Sequence, residues 1–254
     1  MILLNGRLED SDTINLDSGL NFGRGLFETM LINERPLFLK QHVDRINRGL
    51  PLLGIDKTIT LDEVQDAVLK LQCKNNVLKL IVTEKNVIFI TRSTKYTKVE
   101  YERGFRATIS AVRRNATSPL VYLKSLNYLD NVLEHEKALK AGFDEVLFLN
   151  ADGYLAEGSL SNIFFAKANK IYTPSIDCGL LDGIIREFVL ERFDVIEGSF
   201  SEDDLLSADN AFITNSVVGV MKLSSVNEKA FGESAIIRDI QDAYDKECMI
   251  EGNG

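Results

Sequence analysis

Cysteine, histidine and proline are all scarce in this chain, and each scarcity closes off a class of explanation. The 254 residues contain three cysteines, Cys73, Cys178 and Cys248, odd in number and scattered. That pattern argues against a disulfide framework and for reduced thiols in a cytoplasmic protein. Two histidines, His42 and His135, make no credible metal site by themselves, so no metal is expected. Four prolines beside 45% hydrophobic residues describe real cores rather than disorder. There is no basic block, and 29 Lys and Arg against 38 Asp and Glu leave a net charge of −9, which excludes nucleic acid as an expected partner. No apolar run approaches membrane-spanning length, and Met1-Ile-Leu-Leu-Asn-Gly is interrupted too soon for a signal peptide. Neither a membrane nor a secretory destination is expected.

What is present reads as an α/β (α+β) chain of two domains. Residues 2–9 suggest a short strand with a turn at Asn5-Gly6, and the glycines of Gly23-Arg24-Gly25 allow a tight backbone path. Residues 26–32 alternate as a strand, which Asn33-Glu34-Arg35-Pro36 reverses into Leu37-Phe-Leu. Helices are predicted over 40–48 and 61–71, and strands over 77–83, 87–91 and 107–112. The polar, turn-rich run 113–119 reads as a linker between a smaller domain, 1–112, and a larger one, 120–254.

The most informative stretch is 121–165. Lys124 precedes what the spacing of Leu126, Leu129, Val132, Leu133 and Leu139 predicts to be a helix with one buried side. A strand, 145–150, then turns at Asp152-Gly153 into a return strand carrying Glu157, followed by Gly158-Ser159-Leu160-Ser161-Asn162. Taken singly, a lysine at a helix start is ordinarily solvated and a glutamate before Gly-Ser ordinarily belongs to a surface turn. Further on come Gly179-Leu-Leu-Asp-Gly-Ile-Ile-Arg186, a Ser201-Glu-Asp-Asp204 helix cap, Ala211-Phe-Ile-Thr-Asn-Ser216 and a last helix with a packing face at Ile236, Ile237, Ile240, Ala243 and Tyr244.

In order and spacing, His42-Val-Asp-Arg45-Ile46, Lys124-Ser-Leu-Asn127, Glu157, Gly179 to Arg186 and Thr214-Asn-Ser resemble the class IV aminotransferase family of pyridoxal-phosphate (PLP) enzymes, over essentially the whole chain. The resemblance implies a two-domain fold-type-IV enzyme with PLP in the interdomain cleft. Lys124 would bond the cofactor's aldehyde carbon and shuttle a proton. Arg45 would grip the phosphate, helped by the backbone amides of Ile184 and Ile185 at a helix N-terminus and by Thr214. Ile185 stands where many relatives carry a threonine, so a hydroxyl is missing there. Glu157 would keep the pyridine nitrogen protonated. Ser161, Asn162 and Tyr128 are candidates for orienting the ring, Glu28 and Met30 for the wall of the substrate pocket. Arg186 has the look of a helix stabiliser, and His42 of a residue satisfying a backbone group.

The family's dimers imply a homodimer acting on a small amino substrate. Three functions are implied: a 4-amino-4-deoxychorismate lyase giving 4-aminobenzoate and pyruvate for folate biosynthesis, a branched-chain or D-amino-acid aminotransferase, and a PLP-binding protein without turnover. One departure bears on substrate. Many relatives carry an arginine-bearing turn after the strand matching 78–82, whereas this chain has Thr83-Glu84-Lys85-Asn86. Glu84 cannot replace that arginine towards a carboxylate, because like charges repel. Lys85, Arg92 or a residue of a partner subunit is left for the role.

Overall fold

A computed structural model describes residues 2–9, 13–94 and 96–253. The chain divides into two compact units, Met1–Lys95 with Leu123–Asn127 and Lys246–Gly254, and Tyr96–Tyr122 with Tyr128–Asp245.

The first unit contains β1 (Ile2–Leu4), β2 (Arg7–Glu9), α1 (Ser18–Phe22), β3 (Gly25–Ile32), α2 (Leu39–Gly49), α3 (Leu61–Lys70), β4 (Asn76–Thr83) and β5 (Val87–Ser93). Asn5 and Gly6 both take positive φ, which closes β1 and β2 into a two-residue hairpin. The five strands form one antiparallel sheet in the order β2-β1-β5-β4-β3. Because strand side chains alternate, Leu26, Met30 and Ile32 of β3 share a face that packs with Val43 and Ile46 of α2 and Val64 and Ala67 of α3. Phe27, Thr29 and Leu31 look the other way. The chain does reverse after β3, but no second strand follows. Ile32 and Pro36 make a single bridge, Phe38 adopts a left-handed φ of 53°, and α2 begins at once.

The second unit holds α4 (Lys98–Arg103), β6 (Phe105–Arg114), α5 (Leu129–Lys140), β7 (Glu145–Asn150), β8 (Leu155–Gly158), β9 (Asn162–Lys167), β10 (Lys170–Pro174), α6 (Ile184–Arg192), β11 (Val195–Gly198), α7 (Glu202–Leu206), β12 (Asn210–Asn215), β13 (Gly219–Val226) and β14 (Lys229–Ala230). α8 (Ala235–Asn253) follows, and Ser201 caps α7 in a capping box with Asp204. The sheet order is β11-β10-β9-β12-β13-β6-β7-β8, with β14 added beside β13. Among the described residues only β10/β11, β13/β6 and β6/β7 are parallel pairs.

Two local readings are corrected here. Arg113 and Arg114 are not linker but the last residues of β6, paired with Leu149 and Asn150, and the units divide at residue 95 rather than at 113–119. The leucine stripe of α5 is not its buried side. Leu129, Val132, Leu133 and Leu139 are all exposed, Leu129 to 66%. The stripe turned inward is Asn131, Glu134, His135 and Ala138, at helical spacing. Asn131 Nδ2 donates to Ser159 O, Ser110 Oγ donates to Glu134, and His135 Nδ1 meets Ser159 Oγ. Those hydrogen bonds decide which face is inside. Leu126 lies before the helix altogether. Among the described residues, no helix is long and apolar enough to cross a membrane.

Candidate active site

Lys124 is held by the edge strand of the first sheet rather than by a helix. Its carbonyl accepts from Phe27 N at 2.9 Å, Leu126 N donates to Gly25 O at 2.9 Å, and Ser125 bridges Leu26. Gly25 makes this approach possible, since a Cβ there would lie 2.7 Å from both Leu126 Cδ1 and Val82 O. The pairing presents Lys124 Nζ 4.5 Å from the centroid of the Phe27 ring.

On the opposite face of β3, Arg45 grips Glu28 with two bonds, Nε to Oε1 at 2.8 Å and NH2 to Oε2 at 2.7 Å. His42 Nδ1 meets the same carboxylate at 2.7 Å, so its partner is a side chain and not a backbone group. α2 places the two residues one turn apart, as neighbours on one helix face. Burial pushes the Glu28 carboxyl up, yet the Arg45 and His42 charges and hydrogen bonds outweigh it and hold Glu28 far below the ordinary range. Burial lowers His42, more than Glu28 raises it. Glu28 and Met30 are both enclosed on this inner side, Met30 within the hydrophobic cluster. The residues of β3 on the side of Lys124 are Phe27 and, by alternation, Thr29.

In the second unit Glu157 is buried near the end of β8. Its Oε2 accepts from Leu181 N at 3.0 Å and its Oε1 pairs with Arg114 NH2 at 3.1 Å. Arg114 also lies over the Phe148 ring, 4.0 Å from its centroid, so the carboxylate's partner is fixed from two sides. Ser161 Oγ donates to Glu145 at 2.7 Å, and Ser159 Oγ donates to the same carboxylate. Burial pushes Glu145 up, but His135 and these serine hydroxyls bring it below its ordinary value. Glu145 is thus an internal anchor for the 158–161 loop. Tyr128 Oη adds a bond to Ser159 O at 3.0 Å, and Asn162 Nδ2 donates to Leu181 O at 2.8 Å.

Ile184 and Ile185 are the first residues of α6, behind Gly183 as N-cap, and no side chain caps this helix. A Cβ at Gly183 would fall 1.9 Å from Asn162 Oδ1, so a side chain there would displace the Asn162 amide. Arg186 ties α6 down through Asp182, Glu197 and Pro174 O. Thr214 Oγ1 is fully buried and has no hydrogen-bond partner among the described residues.

The Thr83–Asn86 turn is fastened by the buried Asp17. Thr83 Oγ1 donates to it at 2.5 Å, Lys85 N at 2.9 Å and Asn86 Nδ2 at 3.0 Å. Burial would raise the Asp17 carboxyl, but Thr83 and the backbone donors bring it below its usual value. Lys85 Nζ donates to Leu16 O at 3.2 Å, and Glu84 accepts from Ser18 Oγ. Among the described residues no group of three or more His, Cys, Asp and Glu side chains is gathered as a metal would need.

Sequence reasoning missed Arg114, Phe27 and Thr29. Arg114 sat in what read as linker, although its place at a strand end was open to alternation over 105–114. Phe27 and Thr29 were passed over because the face of β3 that α2 covers is not written in β3 itself.

The Amino-transferase class IV family model matches residues 25–226. The aminodeoxychorismate lyase of Bacillus subtilis is 29% identical over 92% of this chain and 89% of its own. The D-alanine aminotransferase of Bacillus licheniformis is 28% identical, over 98% of each chain. The crystal structure of 4-amino-4-deoxychorismate lyase from Pseudomonas aeruginosa shares the fold, with a TM-score of 0.84 at 24% identity over 96% of this chain and 97% of that one. Fold and site therefore define a two-domain α/β enzyme of fold type IV. The chain belongs to the class IV aminotransferase family, and it is a PLP-dependent enzyme.

Proposed function

We propose that this enzyme is a 4-amino-4-deoxychorismate lyase, releasing pyruvate and leaving 4-aminobenzoate. The observation that carries this reading is the Thr83–Asn86 turn. It is bolted to Asp17, it holds no arginine, and its lysine ammonium is engaged by Leu16 O. A transaminase substrate bears its carboxylate on the same carbon as its amine, next to the reacting centre. In 4-aminobenzoate the amine and carboxylate lie across a six-membered ring. A turn without an arginine suits the second arrangement.

Bound PLP supplies an electron sink for the bond that breaks. The residues present fit it. Thr214 Oγ1 is a buried hydroxyl without a partner, and the uncapped first turn of α6 offers the amides of Ile184 and Ile185 to an anion. These groups would hold the phosphate; Arg45, which the family resemblance also assigns to it, grips Glu28 in this structure. Glu157, paired with Arg114, would hold a proton on the pyridine nitrogen. Lys124 would be the covalent attachment point, and its Nζ the group placed to move the substrate proton. Ser161, Asn162 and Tyr128 keep the 158–162 loop in place, the first through Glu145. Three free cysteines support a reducing, cytoplasmic setting. The exposed leucines of α5 support a homodimer, for which sedimentation at monomer mass is the refuting result.

The test of reaction type is a keto-acid-free assay. With aminodeoxychorismate alone, pyruvate and 4-aminobenzoate are expected to accumulate over many turnovers. If pyruvate stays at background while L-leucine, L-glutamate or D-alanine bleaches the cofactor absorbance and 2-oxoglutarate restores it, the enzyme is an aminotransferase.

Thr214→Val separates cofactor binding from folding. Without PLP the variant is expected to be as stable as the parent or about 1 kcal/mol more so, since an unpaired buried hydroxyl is removed. Its PLP affinity is expected to fall roughly tenfold, the loss of one hydrogen bond to a charged group. Urea unfolding and PLP titration measure the two effects, and an unchanged PLP affinity refutes the assignment.

A further inference from the structure

Several ties meet at Gly23-Arg24-Gly25, the junction between α1 and β3. Gly23 closes α1 with a left-handed φ of 67°, its N–H on Gly19 O, and Arg24 N reaches back to Ser18 O at 3.3 Å. The Gly23 carbonyl accepts from Asn127 Nδ2 at 3.0 Å, and the Gly25 carbonyl accepts from Leu126 N at 2.9 Å. The segment that begins at Lys124 is therefore fastened to both glycines. Both positions need glycine: a Cβ at Gly23 would lie 2.8 Å from Asn127 Oδ1, and one at Gly25 2.7 Å from Leu126 Cδ1. Glycine also brings the greatest backbone freedom, so a mount built on two of them is loose unless something else holds it. Arg24 is the side chain between them. An arginine as exposed as this one ordinarily reaches into water. Its guanidinium instead turns to the 3-10 turn Pro51–Leu53 behind α2, where Nε donates to Leu53 O at 2.7 Å and NH2 to Gly54 O at 3.2 Å. The fixed fork of an arginine suits two neighbouring carbonyls.

We propose that Arg24 and Asn127 are positioning residues for Lys124: together they fix the Gly23–Gly25 junction, and the junction fixes where the Lys124 amine stands. The proposal rests on the reading of Lys124 as the reacting amine. Arg24 ties the junction to the end of α2, and Asn127 ties the far end of the lysine's own segment to α1. The β3 pairing alone fixes the register of 124–126 against the strand, but β3 starts at Gly25, the freer end of that pairing. A reacting group displaced by about 1 Å loses on the order of a hundredfold in rate, so a smaller loosening of this mount is expected to cost about tenfold.

The experiment follows attachment of PLP to the full-length, PLP-free chain. The Lys124 amine condenses with the aldehyde as water leaves, so borohydride quenching at successive times, with peptide mapping, gives the rate at which PLP becomes fixed to Lys124. Three variants are compared with the parent: Arg24→Met, Asn127→Asp, which keeps the size and removes the donor, and Arg24→Lys, which can still reach one carbonyl. Attachment is expected to slow about tenfold in the first two and less in Arg24→Lys. In turnover, kcat should fall by a similar factor while KM stays within about threefold. A Lys124→Ala background separates positioning from general support of the fold. There PLP binds without a covalent bond, and adding Arg24→Met is expected to change neither its Kd nor the residual turnover by more than about twofold, because the residue acts through a side chain already removed. Attachment at the parent rate in either Arg24→Met or Asn127→Asp overturns the proposal, as does a further loss in the Lys124→Ala background, which would mark a structural role. If the parent itself forms no adduct on Lys124, the reading of Lys124 fails and the proposal falls with it; an adduct in the parent with unaltered rates in the variants sinks the proposal alone.

Discussion

Lys124→Ala is expected to bind PLP and to lose turnover by at least about a thousandfold, since on the proposed reading one side chain supplies both covalent attachment and proton transfer. In the parent, borohydride should fix the cofactor to Lys124, located by peptide mass mapping. The β3 pairing makes the substitution clean. The segment 123–127 is held by backbone bonds, from Phe27 N to Lys124 O and from Leu126 N to Gly25 O, which alanine leaves untouched. Loss of fold is therefore not expected, and circular dichroism should superpose. An adduct on another lysine, or turnover within tenfold of the parent, contradicts the role.

The second large effect is on stability. Glu28→Leu leaves Arg45 and His42 facing an apolar side chain, and removing one partner of a buried pair costs about 3–5 kcal/mol. Arg45→Met in the same chain should recover most of that loss, because two apolar replacements leave no charge uncompensated. Urea unfolding of the PLP-free proteins measures the cycle, and additive losses would mean the pair is not coupled. The pH dependence has a definite sign. The folded Glu28 carboxyl lies below the ordinary glutamate value of about 4.3, so the pair's contribution is complete above that pH and drains away as pH falls towards the folded value. The buried His42 is lowered, so the unfolded chain takes up its proton first and stability also declines as pH drops below about 6.5. Both groups weaken the fold in acid.

Much of this was legible in the sequence. The alternation of β3, the α2 and α3 helices, the Asp152-Gly153 hairpin and the order of the family's motifs all rest on local patterns that tertiary packing reinforces. What sequence could not decide was the side of each element that faces in. The α5 leucines have the right period but lie outside, because Asn131, Glu134 and His135 find hydrogen-bond partners within the second unit. Glu28 and Met30 have the strand period of a pocket wall, but α2 covers that face. Lys124 read as the mouth of a helix because Leu126 continued the stripe, while the backbone of 124–126 is taken up by β3. A period is a property of one segment, and a direction is a property of two.

The two faces of β3 answer to different pressures. Changes at 28, 30 and 32 alter how the first unit holds together, whereas changes at 27, 29 and 31 touch the side from which Lys124 is presented. A strand with this division lets one face be altered at little cost in folding. Engineering aimed at the surroundings of Lys124 is best confined to the odd-numbered positions, leaving the even-numbered ones as they are.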